Sequence, residues 1–81
     1  MNTTTPQGWK AANSKELGRA LARARQQSGL NQEVMASRLG VDRSYVARME
    51  TGLSTEQLRR TFAFLRETGM ELAIIPRDSD G

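Results

Sequence analysis

Apolar residues recur at helical spacing in four separate runs along the chain, and a glycine or a short polar turn follows each run. The runs cover residues 14–28, 32–39, 43–50 and 55–68. Residue types that cap helix N-termini precede them, at Asn13 or Ser14, Asn31, Asp42 and Ser54. This pattern predicts an all-α body of four short helices.

The last apolar run has a different character. Residues 70–75 (MELAII) nearly alternate, contain β-branched side chains and stop at Pro76, which predicts a short β-strand. Because no other segment is predicted to be a strand, we expect it to pair with the same strand of a second copy. The alternative is an extended apolar tail packed on its own fourth helix. The predicted dimer interface consists of Phe64, Leu72, Ala73, Ile74 and Ile75.

Four regions follow from these patterns. Residues 1–13 are predicted to be a flexible arm, 14–68 the helical domain, 69–76 the dimerising strand and 77–81 a disordered tail. In the arm, Trp9 and Lys10 have an alternative interpretation, in which they dock on the body or touch DNA, as basic N-terminal arms sometimes do.

Composition narrows the function classes. The 81 residues contain no cysteine and no histidine, which excludes a disulfide scaffold and removes the commonest general base and metal ligands. We therefore expect no enzyme, no cofactor and no metal site. The sequence shows no apolar run that could cross a bilayer and no signal peptide, so a cytoplasmic location is expected. Residues 10–77 carry twelve basic and seven acidic side chains, and this basic body fits a nucleic-acid partner.

The second and third runs together carry the most specific motif. In residues 32–51, QEVMASRLGVDRSYVARMET, small Ala36 and then Gly40 lie at the places where two helices would cross and where the chain would turn. This order resembles the helix-turn-helix of the phage repressor and Cro (XRE) family. The resemblance implies that the third helix enters the major groove of double-stranded DNA.

Helical geometry places four side chains on the outer face of the third helix, and these are the predicted base contacts: Arg43, Ser44, Ala47 and Arg48. The predicted phosphate contacts are Gln32, Tyr45, Thr51 and Ser54. Gln32 matches a phosphate-binding glutamine of the family, and the loop after helix three follows the DNA backbone in that family. The Tyr45 hydroxyl reaches a phosphate or simply packs.

Arg25 lies at the edge of the apolar stripe of the first helix and needs an acidic partner there. The candidate is Glu50 at the end of the third helix, and the family it resembles has an Arg to Glu pair at matching positions. This pair is predicted to be structural.

A short strand directly after the fourth helix makes the chain similar to the HipB-type antitoxins. That resemblance implies a homodimer on a palindromic operator, repression of its own promoter and a HipA-like kinase toxin as partner. One alternative is a Cro-like or restriction-system controller regulator without a toxin. Another, of a different class, is a protein-binding module that neutralises a partner without reading DNA.

Overall fold

Four helices and two short strands make up the part of the chain that the computed structural model describes, residues 8–52 and 54–77. Their bounds are β1 (Trp9–Ala11), α1 (Ser14–Gln27), α2 (Gln32–Leu39), α3 (Arg43–Glu50), α4 (Glu56–Glu67) and β2 (Leu72–Ile74). The four predicted helices are therefore present, each within one residue of its predicted ends. The predicted tail from residue 78 onwards and residues 1–7 of the predicted arm lie outside the described residues.

Side-chain caps explain where α1 and α2 begin. The Asn13 side chain accepts a hydrogen bond from the Glu16 amide at 2.8 Å, and the Glu16 carboxylate accepts one from the Ala12 amide at 2.7 Å. Asn31 caps α2 in the same way, with its side chain accepting from the Val34 amide at 2.8 Å. Each cap satisfies backbone donors that have no partner within the helix.

Two of the predicted caps are corrected. The α4 cap is Thr55 instead of Ser54, since the Thr55 hydroxyl accepts from the Leu58 amide at 3.1 Å. Asp42 precedes α3 as expected, but its side chain makes no capping hydrogen bond. Two neighbouring residues of capping type cannot be told apart by pattern alone, because the choice depends on where the preceding turn ends.

The buried core is small and takes one apolar residue from β1 and one from each of the four helices. Its fully buried apolar residues are Ala11, Ala20, Ala36, Val46 and Phe62. Gly40 takes φ 74° at the end of α2, which lets α3 turn back across α2 at the small Ala36. Leu39, which falls within the predicted apolar pattern, remains 54% exposed.

The N-terminal segment corrects the arm prediction. Residues 9–11 form β1, which pairs antiparallel with β2 in the register Trp9 to Ile74, Lys10 to Ala73 and Ala11 to Leu72. The sheet lies against α1, and Ala11 is completely buried. Pairing within the chain satisfies one edge of β2, so the expectation that no other segment forms a strand is wrong. The pattern missed β1 because three residues carry too little periodicity.

In the described residues no helix has the length and apolar character needed to span a bilayer.

Candidate nucleic-acid interface

The outer face of α3 carries the side chains predicted to read DNA. Arg43, Ser44 and Arg48 are exposed, and Ala47 is half-buried between them and the core. On the opposite side Val46 is 2% exposed and anchors the helix. The eight-residue helix thus presents two guanidinium groups and a hydroxyl outward, which can donate to base edges in a major groove.

Tyr45 holds one of these arginines. The guanidinium carbon of Arg48 lies 5.4 Å from the centroid of the Tyr45 ring, within the range of a cation–π contact. The two residues are three positions apart on α3, so they share one side of the helix. Tyr45 was predicted as a phosphate contact, and the structure places its ring against Arg48 while leaving the residue 41% exposed.

Behind the helix, Arg25 and Glu50 form the ion pair expected from the sequence. Arg25 Nε donates to Glu50 Oε2 at 2.6 Å and Nη2 donates to Oε1 at 3.1 Å. The remaining terminal nitrogen, Nη1, donates to the carbonyl of Leu30 at 2.8 Å. Only 11% of the Arg25 side chain and 10% of the Glu50 side chain are exposed. This bidentate pair ties α1, the α1–α2 turn and the end of α3 together.

Gln32 joins the same network. Its Nε2 donates to Glu50 Oε1 at 3.0 Å, so the first residue of α2 is bonded to the last residue of α3. The hydrogen bonds from Arg25 and then Gln32, with the Arg25 charge, hold the pKa of Glu50 below its usual value against the effect of burial. The hydrogen bond between Arg25 and Glu50 also raises the pKa of Arg25, although burial opposes this increase.

The predicted phosphate contacts differ in how many of their hydrogen-bond donors are already used within the protein. Gln32 gives one amide hydrogen to Glu50 and keeps a second. The Thr51 hydroxyl donates to the Arg48 carbonyl at 2.9 Å and the Thr51 amide donates to the same carbonyl at 3.1 Å. Both donors of Thr51 therefore complete the end of α3. Ser54 is exposed in the turn before α4.

Sequence reasoning missed a close approach between α1 and the end of α3. Gly18 is buried, and a Cβ built on it would lie 2.5 Å from the Gly52 amide nitrogen and 2.8 Å from the Glu50 carbonyl oxygen. Gly52 has φ 99°, and a Cβ there would lie 2.8 Å from the Cα of Lys15. The available signal was a glycine inside a helical run, which often marks close backbone packing.

The residues predicted at a dimer interface divide into two groups. Phe64 and Ile75 are 69% and 61% exposed, and Ala73 is also exposed. Leu72 and Ile74 are half-buried on the other face of the sheet. No group of acidic side chains that could hold a metal ion occurs within residues 8–52 and 54–77.

Comparison with known proteins gives one result. Residues 16–69, two thirds of the chain, match a family model described as a helix-turn-helix domain. Neither the comparison with curated proteins nor that with solved structures returns a match.

Proposed function

The chain belongs to this helix-turn-helix family, which is related to the phage repressor and Cro type, and from that premise we propose that it is a sequence-specific transcriptional repressor. The observation that carries the proposal is the face of α3, where Arg43, Ser44 and Arg48 point outward from a helix anchored by Val46. The Arg25–Glu50 pair supports it by fixing the end of that helix. An anchored helix loses little freedom when it enters the groove.

Arg43 and Arg48 are the proposed guanine contacts, because each guanidinium can donate two hydrogen bonds to O6 and N7. Ser44 and Ala47 complete the proposed base-reading face. Gln32, Tyr45 and Ser54 are proposed to position the duplex through its phosphates, with the free amide hydrogen of Gln32 as the best-placed donor. Thr51 is proposed to join them only by turning its hydroxyl away from the Arg48 carbonyl.

The test is a fluorescence anisotropy titration of the protein on the DNA upstream of its own gene and on a scrambled duplex, at several salt concentrations. Removing one bidentate arginine costs about 1 to 3 kcal/mol of discrimination, so Arg43→Ala and Arg48→Ala should each reduce the own-site preference about 5- to 150-fold for each half-site that is bound. Arg23→Ala, an exposed α1 arginine, is the charge-matched control. Equal binding of both duplexes by the unaltered protein would contradict the proposal.

We further propose that the protein acts as a homodimer on a palindromic operator. The free edge of β2 and three exposed apolar side chains, Phe64, Met70 and Ile75, support this proposal. Phe64→Ser should shift the protein from dimer to monomer in analytical ultracentrifugation and weaken operator binding. Leu39→Ser, which also replaces an exposed apolar residue, is the control and should leave the dimer intact.

Among such repressors we favour a HipB-type antitoxin that represses its own promoter and binds a HipA-like kinase toxin. The short strand β2 directly after α4 supports this choice. A kinase-like gene beside this one, and a stable complex on co-expression, would test it. Without such a neighbour, a Cro-like or restriction-system controller regulator becomes the better interpretation. The module that only binds protein would show no DNA binding at any salt concentration.

A further inference from the structure

A groove between the start of α1 and the side of α4 carries cations that the α3 face does not use. It is open to solvent along its length and has a volume of about 560 Å³. Six of the residues that line it define what we call the basic groove: Ser14, Lys15, Gly52, Arg59, Phe62 and Arg66. Buried Phe62 lies on α4 between Arg59 and Arg66, one turn from each, so all three share one face of the helix.

The charge in the groove is largely uncompensated. Of its three cations only Arg59 makes an ion pair within the described part of the chain, an exposed one with Glu56 at 3.2 Å. None of the described lining residues is acidic. Glu56 offsets part of the charge of Arg59, while Lys15 and Arg66 leave the groove with a net positive charge. An anion is the ligand that such a surface attracts.

The groove begins where the recognition helix ends. Thr51 and Gly52 directly follow α3 and form one rim of the groove. Gly52 approaches the start of α1 so closely that a Cβ on it would lie 2.8 Å from the Cα of Lys15, so the backbone of Lys15 has a fixed position relative to this turn. A strip of cations that continues from a helix in the major groove lies where a flanking DNA strand can reach it.

We propose that the basic groove binds the phosphodiester backbone of the same DNA duplex, with Lys15 and Arg66 as phosphate contacts beyond the loop after α3. This inference rests on the proposed function. It adds a second, sequence-independent contact surface, which would fix the orientation of each protomer on its half-site and increase affinity for all DNA alike.

The test is the salt dependence of binding by Lys15→Ala/Arg66→Ala, measured on the own-site and scrambled duplexes. A dimer would lose four phosphate contacts, so the slope of log K against log salt should fall in magnitude by about 3 to 4 on both duplexes. The unaltered protein binds more tightly than the variant at low salt, and the ratio of their affinities should fall by on the order of 100-fold between about 50 and 200 mM salt. The own-site preference should not change, because phosphates carry no sequence information.

Arg23→Ala/Arg77→Ala is the matched control, since it removes two exposed arginines outside the groove and lowers the net charge equally. Lys15→Arg/Arg66→Lys should keep the original slope. Circular dichroism melts verify that each variant is folded.

If the groove variant and the control have the same slope, the inference is wrong and an acidic protein partner becomes the better occupant of the groove. The proposed function would still stand if Arg43→Ala and Arg48→Ala reduce the own-site preference. Conversely, the salt dependence of binding to scrambled DNA tests whether the groove binds phosphates even if the protein has no own-site preference.

Discussion

Replacing Gly18 by alanine tests the packing between α1 and the recognition helix, because two physical effects predict opposite results. Alanine is a better helix former than glycine by about 0.8 to 1 kcal/mol in a helix interior. Gly18 lies within the 14 residues of α1, so propensity alone predicts that Gly18→Ala stabilises the protein. The tertiary structure predicts the reverse.

The three atoms nearest to the added methyl group all belong to the backbone. Its carbon would lie 2.5 Å from the Gly52 nitrogen, 2.8 Å from the Glu50 oxygen and 2.9 Å from the Glu50 carbonyl carbon. Backbone at the end of α3 cannot rotate away as a flexible side chain can, so α1 and α3 must separate. Overpacking of this kind costs about 1 to 3 kcal/mol or more. Because the three nearest atoms are all backbone and all closer than 3 Å, the cost should lie in the upper half of that range, about 2 to 3 kcal/mol, which leaves a net loss of about 1 to 2 kcal/mol after the propensity gain is subtracted.

A loss of this size lowers the Tm of a domain this small by about 4 to 15 °C. Thermal unfolding followed by circular dichroism measures it. The control compares Arg19→Gly with Arg19→Ala at the neighbouring exposed position, where the alanine variant should be the more stable by about 1 kcal/mol. Own-site DNA affinity should also fall for Gly18→Ala, since Glu50 ends the recognition helix. A Tm equal to or above that of the unaltered protein would refute the reasoning.

Three further predictions concern single side chains. Arg25 holds the pKa of Glu50 below its usual value, so the pair stabilises the fold above pH about 4.3. This stability is lost as the pH falls through the folded-state pKa of Glu50. In thermal melts from pH 6 to about pH 2, the Tm of the unaltered protein should therefore fall more steeply than that of Glu50→Gln. Tyr45→Leu should reduce the own-site preference about 2- to 5-fold by releasing Arg48. Tyr45→Phe keeps the ring and the preference but should weaken binding to both duplexes alike, because it removes only the proposed hydroxyl–phosphate contact. Thr55→Ala should destabilise the protein by about 1 kcal/mol in urea unfolding, and an equal loss in Ser54→Ala would contradict the observed cap.

Local patterns were sufficient for the helices because their causes are local. Caps at Asn13 and Asn31 act within one turn, and the glycine after each run ends the helix without reference to the rest of the chain. The α3 face was predictable for a similar reason. Once Val46 is assigned to the core, helical geometry puts Arg48, about 160° around the helix, on the outside, and Arg43 is exposed in the first turn of α3.

Predicting the ion pair of Arg25 and Glu50 required one inference beyond helical periodicity. A charge at the edge of an apolar stripe must find an opposite charge, and few acidic residues lie on the core side of a neighbouring helix. The hydrogen bond of Gln32 to Glu50 was not predictable in this way, because an uncharged amide does not need an acidic partner. The bond also depends on where α2 begins relative to α3, which is a matter of tertiary structure.

The sequence by itself thus determined the four helices, their order, the outward face of α3 and the existence of a C-terminal strand. Only the tertiary structure decided the partner of that strand, the contact of Gly18 with Gly52 and the assembly of the basic groove. The physical reason is sequence separation. β1 and β2 are more than sixty residues apart, and the groove joins α1 to α4, so neither leaves a periodic signal in any local stretch of the chain.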